Sequence, residues 1–214
     1  YRSNFTILDT DDQKKLIRKI CKAEDLDAKK YSPQLIMSFI DKWKNKGLLP
    51  LDVNPKKFSS LEKPVLRVYE IYQNKIKDLN AFDFGDLILF CVKLFEKNKD
   101  KREIYRNNFK YILVDEFQDT NFIQNKWLNL LVNKSRNICC VGDDDQSIYS
   151  WRGAEIKNFL EFDSIYKNCK IFKLEQNYRS TKNILATAST LISHNNGRVE
   201  KKLWSSAQQG EKVK

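Results

Sequence analysis

A chain of 214 residues with 41% hydrophobic and 31% charged side chains holds enough apolar material for one or two cores and a well-solvated surface. No run approaches the roughly 18 consecutive apolar residues of a membrane helix, and the mixed polar and charged residues 1–10 form no secretory signal, so no membrane partner is expected. Lys and Arg number 39 against 28 acidic residues, a formal net charge of +11 that favours a polyanion, most simply nucleic acid; a Lys-rich chain with its charge spread over solvated faces gives the same surplus. In chain order, residues 9–23 open on the capping cluster Asp9-Thr10-Asp11-Asp12 and then place Leu16, Ile17 and Ile20 at helical spacing. Residues 33–46 read as a second helix, with an apolar stripe through Ile36, Phe39, Ile40 and Trp43 that stops at Gly47. Residues 61–79 repeat the pattern with Pro64 in the first turn, and residues 83–96 form a fourth helix.

The texture changes near residue 105. Short apolar runs at 111–114, 137–141 and 170–174 read as strands, and residues 123–131 and 154–159 supply helical patterns between them. Such alternation signals a parallel sheet covered on both faces. In these sheets ligands gather beyond the carboxyl ends of the strands, where this sequence places its polar residues. The five cysteines form no CxxC pair and the only histidine is His194, which argues against zinc. Scattered thiols in odd number point to a reducing compartment. Cys139 and Cys140, inside an apolar run, are expected to be buried and inert.

Three strings carry chemistry. The first, Asp115-Glu116-Phe117-Gln118-Asp119-Thr120, follows a buried strand. One carboxylate there suffices for the protein's share of a hydrated Mg²⁺, and its neighbour Glu116 is placed to polarise a water as general base. Two acids in that position also serve simply to cap the next helix. The second runs from Gly142 to Ala154. Gly142 permits a sharp exit from its strand, and Asp143, Asp144 and Asp145 in succession are costly unless cations compensate them. Gln146, both donor and acceptor, suits a γ-phosphate sensor. Tyr149 and Trp151, in a polar loop, suit stacking on unpaired bases, worth about 1–3 kcal/mol per base, or packing on neighbouring helices. In the third, Gln176-Asn177-Tyr178-Arg179-Ser180, Arg179 can reach a triphosphate and Tyr178 can stack on an adenine; a surface turn with an arginine is the plainer alternative.

In this order the strings resemble motifs II, III and IV of superfamily 1 helicases of the UvrD/PcrA/Rep group. The resemblance extends to residues 5–13, to the Asp83-Phe84-Gly85-Asp86-Leu87 element and to Leu203-Trp204-Ser205. It implies an α/β fold, a partial RecA-like P-loop NTPase sheet with a helical 1B-like insertion. Residues 1–105 would be the helical subdomain with its return connection, 106–173 the C-terminal half of RecA-like domain 1A, and 174–214 the beginning of domain 2A. The implied activity is an ATP-dependent 3′ to 5′ DNA helicase acting on single-stranded and forked DNA. By the same resemblance Asp115 matches the Mg²⁺ ligand, Glu116 the catalytic base, Gln146 the γ-phosphate sensor, Arg179 a phosphate-contacting arginine and Tyr178 the adenine-stacking ring. Tyr149 and Trp151 match positions that hold bases, and Arg152 braces the site against an unidentified partner.

No G-x-x-x-x-G-K-[ST] string is present, so the β- and γ-phosphates have no cradle here. The 214 residues alone are therefore expected neither to bind ATP tightly nor to hydrolyse it. Loss of the phosphate-loop strand from the sheet's interior is expected to expose apolar edges or a face and to invite non-native self-association. A non-catalytic nucleic-acid binding module is the alternative, and an RNA-directed relative a third reading, since stacking does not sense the 2′-hydroxyl.

Overall fold

The protein is described by a computed structural model that covers residues 1–54, 59–133 and 137–214. Four helices form its first part, each with a local cause. Asp9 caps α1 (Thr10–Ala23), its Oδ1 accepting from the amides of Asp11 and Asp12 at 2.9 Å. Ser32 caps α2 (Pro33–Asn45), which has Pro33 at its first position. Then come α3 (Glu62–Asp78) and α4 (Phe84–Lys97). The apolar stripes of α1, α2 and α3 meet in one core, with Ile17, Ile20, Ile36, Ile40, Val65 and Tyr72 almost wholly shielded. These helices agree with the sequence expectation to within a residue or two.

Two strands in this part were not anticipated. β1 (Thr6–Leu8) and β2 (Ala81–Asp83) pair in parallel, with Ile7 opposite Phe82. At three residues each they are too short to show an alternating pattern. The pairing brings the two ends of the helical segment side by side. Also unanticipated are α5 (Lys99–Asn108), which carries Lys99, Lys101, Arg102 and Arg106, and α9 (Lys182–Ile192).

One buried charge cluster joins these pieces. Lys44, near the end of α2, is completely buried, and its Nζ lies 2.5 Å from Asp83 Oδ2 and 2.7 Å from Asp86 Oδ1. Asp83 is also the N-cap of α4, forming a reciprocal capping box with Asp86. From α3, the Tyr72 hydroxyl donates to Asp83 Oδ2 at 2.9 Å and Gln73 Nε2 to Asp86 Oδ1 at 3.1 Å. Gly85 makes room: a Cβ there would stand 3.1 Å from Lys44 Cδ. Burial pushes the Asp86 carboxyl above the usual carboxylate range, and Lys44 is the largest opposing influence. α2, α3, β2 and α4 thus share one neutralising node.

The second strand pair is β3 (Ile112–Val114) with β4 (Ile138–Cys140), parallel, Leu113 opposite Cys139. α6 (Phe122–Leu131), capped by Asn121 with Gln124, packs against α4 through Leu89, Val92 and Ile123. Cover is one-sided, contrary to the two-faced expectation: Leu113 is 79% exposed and Cys139 is exposed as well. The expected burial of Cys139 therefore fails, because no described element lies over that face. Cys140 is partly covered, and burial pushes its thiol up to about 12. Residues 170–174 form no strand either. Ile171, Phe172 and Leu174 lie exposed, and without a neighbouring strand to receive its backbone the run stays unpaired. The helix expected over 154–159 shrinks to the single turn α7 (Lys157–Leu160), since Ala154 is held in an antiparallel bridge with Asn121; α8 (Phe162–Ile165) follows.

Replacing Lys44 with Met leaves two buried carboxylates uncompensated. Urea unfolding of the Lys44→Met chain should show a loss of about 3–5 kcal/mol relative to wild type; a loss below about 1 kcal/mol would show that the node is not structural.

Candidate functional site

β3 hands the chain straight to Asp115 and Glu116, both exposed beyond the carboxyl end of the sheet. The exit of β4 runs beside them, tied by bonds from Val141 N to Val114 O (2.8 Å) and from Phe117 N to Val141 O (2.9 Å). Glu116 sits in the left-handed region at φ 49° and ψ 43°, a conformation that costs a non-glycine residue about 1–2 kcal/mol. Its surroundings hold it there. The Glu116 amide donates to Asp115 Oδ1 at 2.9 Å, and Gln118 Nε2 donates to Glu116 Oε2 at 2.7 Å. Next comes a 3-10 turn, Phe117–Asp119, anchored by buried Phe117 edge-on to Phe162.

Gln118 is the side chain between the two strand exits. Only 1% exposed, it gives its amide hydrogens to Glu116 and accepts from the Asp143 amide at 3.0 Å. The structure also revises the reason for Gly142. A Cβ at that position would stand 2.6 Å from Gln118 Oε1 and 2.8 Å from the Phe159 ring, so close packing of Gln118 demands glycine.

Asp143 in turn holds Gln146, whose Nε2 donates to Asp143 Oδ2 at 2.7 Å. The three-acid run is compensated by side chains, as its charge density required. Arg198 grips Asp145 with both arms, at 2.9 and 2.6 Å. Lys201 pairs with Asp143 and reaches Asp144 at 3.2 Å and Asp145 at 2.9 Å. The Arg198 hydrogen bond holds the Asp145 carboxyl below its usual range. Burial works to raise Asp143, but hydrogen bonds from Lys201 and Gln146 outweigh it and leave that carboxyl lowered too. Arg198 and Lys201 were missed in the sequence reading, although three consecutive acids are the signal that calls for such partners.

The aromatic loop follows. Trp151 is 76% exposed, so it does not pack on a neighbouring helix; Tyr149 is half-buried. The ring centroids lie 6.4 Å apart, and the Arg152 guanidinium sits 5.5 Å from Tyr149 and 5.2 Å from Trp151. Arg152 therefore braces the two rings against each other by cation–π attraction. The loop is fastened to the acidic turn: Glu155 N donates to Thr120 O at 3.0 Å, and Asn158 Nδ2 to the same carbonyl at 3.1 Å. It is also fastened to α2, where Asn45 Nδ2 donates to Arg152 O at 3.4 Å and Asn45 Oδ1 accepts from Asn121 at 3.1 Å.

Asp115, Glu116 and Gln146 thus converge, while Tyr178 and Arg179 stand apart on another segment. Tyr178 is 83% exposed, with its hydroxyl on Gln176 Oε1 at 2.8 Å. Among the described residues the Arg179 side chain has no hydrogen-bond partner; its amide, with that of Ser180, donates to Asn177 Oδ1. Bonds from Asn177 N to Trp204 O and from Trp204 N to Glu175 O pair this segment with the one carrying Arg198 and Lys201. The two cations then tie that paired unit to the acidic loop. Among the described residues no group of three or more His, Cys, Asp or Glu side chains gathers as a metal site, and no helix is long and apolar enough to cross a membrane.

Comparison with known proteins gives the family of the chain that bears this site. Residues 1–167 match the model of the UvrD/REP helicase N-terminal domain, and residues 172–214 that of the UvrD-like helicase C-terminal domain. The chain belongs to the UvrD/Rep helicase family. It is 47% identical over 213 residues to a probable DNA helicase II homolog of Rickettsia conorii, a match covering 99% of this chain and 33% of that protein. DNA helicase II of Rickettsia typhi is 47% identical over 214 residues, covering 99% and 32%. The ATP-dependent DNA helicase PcrA of Staphylococcus epidermidis is 44% identical over 210 residues, covering 98% and 29%. The chain spans about a third of the length of the relatives it matches.

The ion pairs make a pH-dependent contact. Folded carboxyls lowered below their unfolded values give stability that is present above about pH 4 and lost as pH falls through the folded pKa. Hydrogen exchange should show the Val199 amide, which lies between Arg198 and Lys201 in sequence and is hydrogen-bonded to the acidic loop, protected at pH 7 and losing protection as the Asp143 and Asp145 pairs are neutralised below about pH 4. The double variant Arg198→Ala with Lys201→Ala should lack that protection at both pH values; protection that persists in the variant would contradict the ion-pair account.

Proposed function

We propose that this chain is a fragment of an ATP-dependent 3′ to 5′ DNA helicase, the parent of which couples ATP hydrolysis to movement along single-stranded DNA and to unwinding of forked duplex. The observation that carries the reading is that the turn bearing Glu116 and Gln118, bonded to Asp143 and through it to Gln146, is tied at Thr120 O to Glu155 N and Asn158 Nδ2 of the segment that follows the exposed Trp151 and half-buried Tyr149. A plain strand-end cap needs no such link to an aromatic platform.

On this reading Asp115, exposed beside Glu116, is a ligand of the Mg²⁺ that accompanies ATP. A single accessible carboxylate fits an ion that keeps most of its waters and takes its other ligands from phosphates. The ion, when bound, neutralises charge on the phosphates. Glu116 takes the proton of the attacking water, Gln146 senses the γ-phosphate and its water, and Arg179 neutralises charge that develops on the transferred phosphoryl group. Tyr178 offers an open ring face to adenine, and Tyr149 and Trp151, braced by Arg152, offer faces to successive bases. Arg179 stands on a segment joined to the acidic loop by the Arg198 and Lys201 ion pairs and the bond from Val199 N to Asp144 Oδ2, a small contact that suits an arginine that approaches and withdraws as two parts move.

Residues 1–105 are read as the helical 1B-like subdomain with its return connection, 106–173 as the second half of domain 1A, and 174–214 as the start of domain 2A. The five cysteines, all free, are in keeping with an intracellular reducing compartment. With no phosphate-binding loop in their sequence, the 214 residues alone are read as catalytically silent. The bare β3–β4 face, with Tyr111 at 74% and Leu113 at 79% exposed, is read as a surface for non-native self-association of the isolated chain. Sedimentation velocity of that chain should show mass rising with concentration; a monomer throughout the micromolar range would refute the last point.

A binding module without turnover is favoured by two observations: neither the net charge nor the exposed Trp151 needs a nucleotide. ATP turnover with and without single-stranded DNA, in the longest natural polypeptide containing this segment, separates the two. Wild type should show DNA-stimulated hydrolysis, and Glu116→Gln should lower kcat by about 100-fold or more at unchanged DNA affinity. An intact wild type without turnover would establish the binding module.

A further inference from the structure

Gln118 was singled out neither by its chemistry nor by its place in the string, yet it is the most confined polar side chain of the site. It is 1% exposed, and every polar atom it needs to satisfy is aimed at the machinery proposed above. Nε2 donates at 2.7 Å to the Glu116 carboxylate, and Oε1 accepts at 3.0 Å from the backbone amide of Asp143. Asp143 holds the Gln146 amide at 2.7 Å through its own carboxylate. Glu116, strained into the left-handed region, has no other described side-chain donor. The space is fitted to the amide as well, since any side chain at position 142 would displace Gln118 Oε1.

We infer that Gln118 is a positioning residue that fixes the Glu116 carboxylate relative to the Gln146 loop, so that base and γ-phosphate sensor keep one geometry. The inference rests on the proposed ATPase reading and deepens it. A carboxylate on an exposed strand end would otherwise sample several rotamers. One short bond from a buried amide removes that freedom at the oxygen that must meet the water. Because the amide's other end bonds the backbone of β4's exit rather than a side chain, a shift of the Gln146 loop moves the donor and thereby Glu116. Gln118 makes no contact of its own with substrate on this account; it acts through Glu116.

The test uses the longest natural polypeptide that contains the segment. Gln118→Met keeps the volume and removes both bonds. Gln118→Glu keeps shape and an acceptor for the Asp143 amide but places an acceptor against Glu116, and it covers the case in which Gln118→Met fails to fold. For each, kcat and KM for ATP are measured with saturating single-stranded DNA, together with DNA affinity and melting temperature. The expected result is a fall in kcat of about 10- to 100-fold with KM and DNA affinity within about twofold. Combined with Glu116→Gln, either change should have almost no additional effect on kcat, because both act through one carboxylate. A folded variant with wild-type kcat, or full additivity with Glu116→Gln, overturns the assignment while leaving the ATPase reading in place. A wild type with no DNA-stimulated turnover overturns that reading and the assignment with it.

Discussion

Lys44 lies beyond the reach of water, and the two carboxylates that neutralise it, Asp83 and Asp86, are the same two that begin α4. Three otherwise separate demands are met at this point: a buried cation needs counter-charges, a helix start needs caps, and a three-residue strand needs something to hold its end. Tyr72 and Gln73 fill the remaining hydrogen-bonding capacity from α3. A pair of charges out of water is stabilising only when every lone pair and proton is occupied, and here geometry supplies nearly all of them. α4, once placed, carries Leu89 and Val92 against Ile123 of α6. The cap of α6, Asn121, stands two residues after the turn Phe117–Asp119. The buried node therefore sets, through two helices, where the functional loops stand.

From that platform the site is assembled by adjacency. Parallel pairing of β3 and β4 opens both exits on one side, so that an acid pair and an acidic loop distant in sequence become neighbours. Gln118 spans the gap between them, and Thr120 and Asn121 carry the same turn onward to the aromatic loop through Glu155, Asn158 and Ala154. A displacement at Glu116 has a continuous path of bonds to Trp151, without any loop long enough to absorb it. On the proposed function this short, stiff path is the means by which a change at the phosphate is felt by a stacked base. The opposite side of the acidic loop is held by the Arg198 and Lys201 ion pairs and by the bond from Val199 N to Asp144 Oδ2.

Helices with a clear apolar stripe and a capping residue were legible almost to their ends, because period and cap are local properties. The strand-end acids, the Gln-bearing loop and the aromatic pair were legible as strings, and the family they resemble is the one that comparison shows. What was not legible depended on partners far along the chain. β1 and β2 exist through each other and span only three residues apiece. Residues 170–174 have the composition of a strand, but a strand is a pair, and none of the described elements pairs with them. Lys44 reads as an ordinary surface lysine on a helix until Asp83 and Asp86 arrive from forty residues later. Gln118 sat inside the most conspicuous string and was passed over because an amide between acids carries no chemistry of its own; the missing Cβ of Gly142, across the sheet, is what gives it a place.

The most direct measurement is a structure of the longest natural polypeptide containing this segment, bound to single-stranded DNA and a non-hydrolysable ATP analogue with Mg²⁺. The account predicts the γ-phosphate beside Glu116 and Gln146, the ion on Asp115, and a base stacked on Trp151 with Arg152 still against both rings. A nucleotide seated away from Glu116, or Trp151 closed against protein while DNA runs elsewhere, would contradict it.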